Sequence, residues 1–208
     1  MVKLDSKCKK CRRAGEKLFL KGERCYGIKC ALVRKPYVPG MHKKRKTKNT
    51  SEYSRQLEEV RKVKVTYGVN EAQMKKYFNE SAKSKASTSD EFFKKLELRL
   101  DNIVFRLGFA SSRKEARQMV SHGHILVNGK KIDVPAYKLK KGDIITIRPQ
   151  SLEKPAFKDL AKKLKKVQLP DYLTLNPEKL EAKVIGEPSL AKELPPFDFR
   201  QIVEFYSR

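Results

Sequence analysis

The sequence predicts an α+β protein, in which a cysteine-containing N-terminal segment and a helical domain precede a helix-turn-helix unit with a small, mostly antiparallel β-sheet. Two observations carry this fold class. Apolar residues recur at helical spacing between residues 52 and about 122, and beyond that point the spacing changes to two. The dipeptide Asn128-Gly129, a strong hairpin signal, lies between the first two alternating stretches. Helices are therefore expected first and most of the strands after them.

The first two predicted helices follow a basic stretch rich in proline and glycine at residues 34–51. This stretch lacks apolar periodicity and is expected to be an extended strap that orders on binding. A helical pattern then covers residues 52–67, and Gly68 is placed to end it. Asn70 and Gln73 stand at the spacing of a capping box, which predicts the start of a second helix.

The third predicted helix has the clearest apolar stripe of the chain. Thr88 and Glu91 match a capping box at its start. Apolar residues between positions 93 and 107 then repeat at helical spacing up to Gly108. The pattern predicts one continuous helix that ends at this glycine.

A short fourth helix is predicted after a tight turn, between a capping box at Ser112 and Glu115 and a stop near Gly123. The corner at residues 111–113 suits a phosphate contact through backbone N–H groups. The side of this helix away from its apolar residues is polar and basic, and an ordinary solvated face is the alternative interpretation. Its members are Arg113, Lys114, Arg117, Gln118 and Ser121, with His122 at the end.

Alternation of apolar and polar residues predicts the strands. HILV and KIDV flank the Asn128-Gly129 turn, and DIITIR follows Gly142. A further helix is predicted over residues 157–167, followed by strands at YLTL and EAKVI. The final apolar stretch, FRQIVEFYSR, is expected to dock on another part of the protein.

The charge balance indicates a polyanionic partner. The chain has 49 Lys and Arg against 24 Asp and Glu, for a formal net charge of +25. Nucleic acid is the commonest partner of such a chain, because neutralised phosphates release counterions. Residues 1–48 hold 17 basic and 3 acidic residues, and residues 99–148 hold 11 and 4. Two contact regions on a long polyanion are therefore expected.

Other classes of function are disfavoured by the sequence. The chain has no apolar run of the roughly 18 residues that span a bilayer. Its start lacks the apolar core of a signal peptide, so a reducing, cytoplasmic setting without a membrane partner is expected. With three histidines and no G-x-S-x-G motif, the sequence shows no catalytic machinery. Neither an enzyme nor a small-molecule substrate is expected.

The four cysteines predict a bound metal ion. Cys8 and Cys11 form a C-x2-C pair, and thirteen residues separate them from the C-x4-C pair at Cys25 and Cys30. Two close thiol pairs across a loop suit tetrahedral zinc, and four thiolates would make a closed structural site. An iron–sulfur cluster, a segment without metal and His42 as a ligand are the alternatives. Disulfides are disfavoured in a reducing setting.

Residues 99–148 resemble a known RNA-binding domain. The stretch RLDNIVFRLGFASSRKEARQMVSHGHILVNGKKIDVPAYKLKKGDIITIR is similar to the module named after the fourth protein of the small ribosomal subunit. RRAGEKLFLKG, PGMH, YSRQLEEVRKVKVTYGV and the terminal IVEFYS extend the likeness, in the order typical of the bacterial-type ribosomal protein family itself. The four-cysteine start resembles the zinc-bearing form of that family.

The resemblance implies a structural constituent of the small ribosomal subunit. Its partners would be small-subunit ribosomal RNA, bound at a multi-helix junction early in assembly, and neighbouring small-subunit ribosomal proteins. Messenger RNA at the entry channel is a further implied partner, because the family influences decoding accuracy there. The protein would be ribosome-bound, in the cytoplasm or in an organelle. An RNA-modifying enzyme with the same module and a zinc-containing DNA-binding regulator are the alternatives.

The predicted domains are a zinc-binding segment with the basic strap at 1–48, a helical domain at 49–95 completed by 196–208, and an RNA-binding module at 96–195 with its core at 99–148. The residues predicted to contact RNA are basic and polar members of these regions. They are Arg12, Arg13, Lys43, Lys44, Arg45, Lys46, Arg55, Arg61, Lys62, Arg99, Arg106, Ser112, Arg113, Lys114, Arg117, Gln118, Ser121, His122 and Lys130.

Overall fold

The computed structural model of the protein describes residues 7–40, 51–154, 157, 160, 164 and 167–208. The chain forms two compact units. One contains residues 1–83 together with 196–208, and the other contains residues 84–195. The helix that begins at Thr88 therefore lies in the second unit, whereas the sequence had placed it in the helical domain at 49–95.

The cysteine segment, residues 7–40, opens the first unit. Its helices are α1 (Lys7–Ala14) and α2 (Ala31–Arg34), with a 3-10 turn at Gly22–Cys25 between them. Few of its large apolar side chains are buried. Leu18 is 5% exposed, whereas Ile28 is 86% exposed and Val33 is also exposed. This segment has too little apolar burial to form a core of its own.

Three further helices complete the first unit: α3 (Glu52–Tyr67), α4 (Glu71–Ala82) and the C-terminal helix Phe199–Ser207. Gly68 ends α3 in the left-handed region at φ 65°, and the Asn70 side chain accepts a hydrogen bond from the backbone N–H of Gln73. The predicted bounds of α3, its end at Gly68 and the predicted start of α4 at Asn70 are thus confirmed. The C-terminal helix packs against α3 and α4 and buries Phe199 and Ile202.

The second unit begins with two helices, α5 (Thr88–Glu97) and α6 (Leu100–Arg106). The prediction of one continuous helix is wrong, because the chain breaks at residues 98–99 to pair with a distant segment. The backbone carbonyl of Leu98 accepts from the N–H of Leu139, and the N–H of Leu100 donates to Tyr137. The predicted cap is also wrong, since the N-cap residue of α5 is Ser87 and its side chain makes no capping hydrogen bond.

Helix α7 (Arg113–Ser121) packs against α6 after a tight turn and completes the predicted helix-turn-helix. Ser112 caps it by accepting a hydrogen bond from the N–H of Glu115. The Glu115 carboxylate in turn accepts from the backbone N–H of Ser111 at 2.8 Å. The Ser111 N–H is therefore already bonded within the turn. A phosphate at this corner would have one fewer backbone donor than the sequence predicts.

In the described residues the sheet has five strands: β1 (Ile125–Val127), β2 (Lys130–Lys131), β3 (Ile144–Ile147), β4 (Leu173–Asn176) and β5 (Glu181–Val184). Their order is β2-β1-β3-β5-β4, and the pairings between them are antiparallel. The hairpin between β1 and β2 has Asn128 at φ 51° and Gly129 at φ 77°, as an Asn-Gly turn with two left-handed residues requires. The Asn128 side chain also accepts a hydrogen bond from the N–H of Ile144, which fixes the turn against β3.

The core of the second unit lies between the helix-turn-helix and the sheet. Helix residues such as Ile103 and Val120 are fully buried together with strand residues such as Ile125 and Ile145. Within the helix predicted at 157–167, Phe157, Leu160 and Leu164 belong to this core, and most of the other residues there lie outside the described part of the chain. Short helices α8 (Pro149–Leu152) and α9 (Leu190–Glu193) follow β3 and β5, so the C-terminal helix is α10.

Candidate RNA interface

The four cysteines line one pocket in the cysteine segment. Cys8 and Cys11 lie one turn apart on α1, Cys25 ends the 3-10 turn, and Cys30 precedes α2. Cys11 and Cys30 are buried, and none of the four is in a disulfide. The backbone N–H of Lys21 points at the Sγ atom of Cys25 at 3.3 Å. The fold therefore gathers all four predicted ligands, which lie up to 22 residues apart in sequence.

The environment of Cys11 in this pocket disfavours its thiolate form. Burial raises the pKa of the Cys11 thiol, a backbone hydrogen bond from Leu18 opposes that effect, and the nearby Cys25, Cys8 and Cys30 raise the pKa further. In the described ranges, no group of three or more His, Cys, Asp or Glu side chains is already arranged to hold a metal ion. The donor set fits zinc chemically, whereas its geometry would have to close on binding.

Two of the basic residues predicted in the first unit are engaged within the protein. The Arg12 Nε donates to the carbonyl of Tyr37 at 3.0 Å, and its guanidinium stacks on the Tyr37 ring at 4.6 Å. Lys62 is 11% exposed and pairs with Glu16 at 2.8 Å and Glu59 at 2.7 Å. Burial lowers the pKa of Lys62, but these two carboxylates outweigh burial and raise it overall. Lys62 is therefore a structural ion pair, contrary to its predicted role.

The remaining predicted residues of this unit are of two kinds. Arg13, Arg55 and Arg61 are exposed and therefore accessible to RNA. The predicted contacts in the strap, at residues 43–46, lie outside the described residues, as does His42. The first basic surface is thus represented in the structure by three exposed arginines and by the lysines around the thiols.

Arg99, the first basic residue of the resembling stretch, is buried. Only 1% of it is exposed, and its guanidinium makes two hydrogen bonds to the carboxylate of Asp101, Nε to Oδ1 at 3.0 Å and Nη2 to Oδ2 at 2.7 Å. The prediction that Arg99 contacts RNA is therefore wrong for this structure. Its position at the break between α5 and α6 makes it part of the scaffold.

Arg106 is directed into the same unit by a buried carboxylate. Glu97, with no exposed surface, accepts two hydrogen bonds from the Arg106 guanidinium at 2.9 and 3.1 Å, one from Asn102 at 2.7 Å and one from the Tyr172 hydroxyl at 3.0 Å. Burial raises the pKa of Tyr172, and the charge of Glu97 raises it further. Arg106 therefore satisfies a buried charge. Its side chain is still 27% exposed, so its contact with RNA stays a prediction.

The same network reaches α7 through Asn102. The Oδ1 atom of Asn102 accepts from the Nε of Arg113 at 2.7 Å, and the Arg113 guanidinium lies 4.5 Å from the centroid of the Phe105 ring. Arg113 is half-buried as a result, and Ser112 is buried as the helix cap. Both residues link α7 to the rest of the unit, and their contact with RNA stays a prediction.

The other predicted residues of this region remain on the surface. Spacings of three and four residues place those of α7 along one side of the helix. We call the set the α7 face; it consists of the exposed residues Lys114, Arg117, Gln118, Ser121 and His122, with Lys130 from β2. A buried hydrogen-bond network thus fixes the helix that presents this basic face.

The sequence-based prediction missed four residues beside the α7 face: His124, Lys131, Arg148 and Lys154. His124 and Arg148 are adjacent because the backbone N–H of Arg148 donates to the carbonyl of His124 at 2.9 Å. The antiparallel pairing of β1 with β3 places Ile125 opposite Ile147. The residue before Ile125, His124, therefore lies beside the residue after Ile147, Arg148. The strand register was the missing signal, and alternation alone does not supply it.

Among the residues that the structure describes, no helix is long and apolar enough to cross a membrane. A basic helix-turn-helix packed on a small antiparallel sheet is instead a module for binding nucleic acid. Two family models match the chain in succession. The S4 domain matches residues 98–145, and the Ribosomal protein S4/S9 N-terminal domain matches residues 3–97. The fold and the matches together define an RNA-binding ribosomal protein.

Whole-chain similarity identifies the family. The chain is 47% identical over 201 residues to the small ribosomal subunit protein uS4 of Halothermothrix orenii, a match that covers 97% of this chain and 96% of the relative. It is also 47% identical over 201 residues, with the same coverage, to uS4A of Clostridium novyi, and 46% identical over 204 residues, 98% of each chain, to uS4A of Alkaliphilus metalliredigens. The chain belongs to the small ribosomal subunit protein uS4 family.

This family consists of structural proteins of the small ribosomal subunit that bind its RNA, and not of enzymes. The predicted general function and the absence of catalysis are confirmed by this membership. The two alternative functions were an RNA-modifying enzyme and a DNA-binding regulator. The relatives, which match nearly the whole chain, support neither of them.

Proposed function

We propose that the chain binds small-subunit ribosomal RNA through two basic surfaces, one on each of its compact units. The first comprises the exposed arginines of the first unit, with the lysines Lys9 and Lys10 beside the thiols. The second is the α7 face. The observation that carries the proposal is the division of basic residues in the second unit: the inner ones pair with buried carboxylates, and the outer ones lie together on one exposed side.

Contacts with the RNA backbone would dominate both surfaces. The major groove of A-form RNA is too narrow for side chains to read, so recognition depends mainly on shape, phosphates and 2′-hydroxyls. Lysine, arginine and histidine side chains on a helix fixed by the Glu97 network can meet phosphates at defined positions. Such a surface would prefer a particular folded junction of RNA without reading many bases.

A competition experiment tests this proposal. Labelled small-subunit RNA bound to the chain is challenged with unlabelled small-subunit RNA or with duplex DNA of equal charge at physiological salt. Specific binding predicts displacement by the RNA and little displacement by the DNA, because duplex DNA lacks the folded junction and the 2′-hydroxyls. Equal displacement by both would reduce the interaction to general basic adhesion and would contradict the proposal.

The finer roles implied by the family resemblance are part of the same proposal. The chain would bind a multi-helix junction early in assembly of the small subunit, contact neighbouring ribosomal proteins, and influence accuracy near the messenger entry channel. It would do so on the ribosome, in the cytoplasm or in an organelle. Reconstitution of small subunits with the chain omitted should leave an immature particle, whereas a complete particle without it would oppose the assembly role.

We further propose that the cysteine segment holds one structural zinc ion. Cys8, Cys11, Cys25 and Cys30 would be the ligands, and the ion would supply a tetrahedral cross-link that makes thiolates favourable. Support comes from the shared pocket of the four thiols and from the small core of the segment. Metal analysis of the purified chain should find one zinc; a coloured iron–sulfur cluster or a metal-free chain that remains ordered would overturn the proposal.

A further inference from the structure

The turn that links α7 to β1 carries two histidines side by side. His122 follows the last residue of the helix and His124 precedes the strand, with Gly123 between them in the left-handed region at φ 67°. The centroids of the two imidazole rings lie 5.9 Å apart, with their planes at 70°. Two titratable groups therefore share one small surface at the end of the α7 face.

Three further cations converge on this turn from other elements. The side chain of Lys131 crosses Gly123, because a Cβ atom at that position would collide with Lys131 Cε and lie 3.0 Å from its Nζ. Arg148 is brought beside His124 by the hydrogen bond between their backbones, and Lys154 follows α8. These three positive charges come from β2, from the residue after β3 and from the chain beyond α8.

One nitrogen of His124 is already occupied. Its Nδ1 lies 2.9 Å from the Oγ atom of Ser151, and its ring packs edge-to-face on Phe157 with centroids 5.7 Å apart. These contacts fix the orientation of the imidazole and leave Nε2 as the nitrogen that can meet an external partner. An oriented ring with one nitrogen bonded internally is a typical arrangement for a histidine that binds a ligand.

The surroundings of His124 disfavour its protonated form. Burial lowers the pKa of His124, and the charges of Lys154, His122 and Arg148 lower it further. Lys154 and Arg148 act on this ring from two different segments of the chain. An anion bound beside them would offset the positive charge that disfavours protonation of His124.

We propose that His122, His124, Lys131, Arg148 and Lys154 form a binding site for a phosphate of the RNA backbone, and that His124 gains a proton when the phosphate binds. The inference rests on the proposed binding of ribosomal RNA and adds a defined phosphate site and a proton to it. The negative charge of the phosphate offsets the surrounding cations, and the protonated Nε2 donates a charge-assisted hydrogen bond to a phosphate oxygen.

The sign of the pH dependence follows from the two states. In the chain without RNA the pKa of His124 is below its ordinary value, and in the complex the phosphate raises it. Between these two values the complex carries more protons than its separate components. Affinity for RNA therefore falls as the pH rises through this window, by about tenfold per pH unit at most for one proton.

Calorimetry in buffers of different ionisation enthalpy measures the proton directly. Near pH 6.5, the ordinary value for histidine, the wild-type chain should take up a substantial fraction of one proton on binding small-subunit RNA. His124→Gln keeps a polar group for Ser151 but cannot titrate, so the uptake should be lost. His42→Gln, which removes the third histidine of the chain, is the matched control and should retain the uptake.

The outcomes separate this inference from the proposed function. Tight RNA binding without proton uptake, or an uptake that disappears with His42→Gln and not with His124→Gln, would overturn the inference alone. Failure of every variant to bind RNA would overturn the proposed function. An independent arm follows the histidine ring protons by NMR: inorganic phosphate should raise the pKa of His124, chloride at equal ionic strength should not, and equal effects of both would also overturn the site.

Discussion

The cysteine segment, residues 7–40, and the helix-turn-helix with its sheet, residues 88–184, use basic residues in opposite ways. In the second region Arg99, Arg106 and Arg113 are held inside by Asp101, Glu97 and Asn102. In the cysteine segment, by contrast, most lysines and arginines are exposed. The difference follows from the cores, because only a region with a large apolar core can bury and satisfy carboxylates.

Positive charge in this chain therefore has two roles. Part of it balances buried acidic groups and stabilises the fold, and part of it is surface charge for a polyanion. The cysteine segment has little buried apolar area to offset the repulsion of its cations. A metal cross-link would stabilise the cysteine segment. The helix-turn-helix with its sheet is already stabilised by its apolar core.

Removal of the proposed zinc should give the largest contrast between the two regions. Structural zinc supplies on the order of 10 kcal/mol in small zinc-binding peptides, so chelation should abolish amide protection in residues 7–40 and leave residues 88–184 protected. Hydrogen exchange with and without a chelator measures this. Loss of protection in both regions would show that the cysteine segment supports the whole fold.

Glu97→Ala should have the next largest effect, and on the other region. It would leave Arg106, Asn102 and Tyr172 without their buried partner, for which a loss of about 3–5 kcal/mol in the free energy of unfolding is typical. Urea denaturation measures the loss. Lys114→Ala on the exposed face is the control and should change stability by less than about 0.5 kcal/mol. Similar losses for both variants would contradict the division into inner and outer charges.

The double substitution Lys114→Ala with Arg117→Ala should weaken RNA binding without unfolding the chain. Two lost phosphate contacts would reduce the slope of log affinity against log salt by about 1.5. Binding titrations over a range of salt concentrations measure the slope. An unchanged slope would remove the α7 face from the interface.

A neighbouring pair of residues on α3 gives the smallest effect and the sharpest control. Arg61→Ala should lower the salt slope by about 0.7, whereas Lys62→Ala should leave it unchanged, because Lys62 is already paired with Glu16 and Glu59. Since the pKa of Lys62 is raised, its stabilisation is fully present below the ordinary pKa of lysine and is lost as the pH rises through the higher value. Equal slopes for both variants would mean that the pairing does not withhold Lys62 from RNA.

Much of the fold could be predicted because its signals are local. The left-handed Gly68, the Asn70 cap and the Asn128-Gly129 turn each follow from conformations that a few neighbouring residues prefer. The break between α5 and α6 could not be predicted in this way. It depends on hydrogen bonds to residues 137–139, about forty positions further along the chain.

The candidate RNA interface was predictable only in part. Charge and helical spacing correctly placed Lys114 and Arg117 on an exposed side of α7, but the same reasoning treated Arg99 as equivalent to them. Arg99 and Arg117 are alike in sequence context, and they differ in burial. Arg99 is 1% exposed and paired with Asp101, whereas Arg117 is exposed. His124 was missed for the converse reason, since the three cations near it, Lys131, Arg148 and Lys154, come from separate segments of the chain.

By itself the sequence determined most of the helices and strands, the basic character of the protein and its family, because caps, periodicity, net charge and motifs are properties of neighbouring residues or of the whole composition. Only the tertiary structure decided which cations pair internally and which remain for RNA. Glu97 and Tyr172 meet across 75 positions, and Lys131 reaches Gly123 through a strand pairing. Burial and electrostatic pairing depend on such distances in space, which local sequence preferences do not encode.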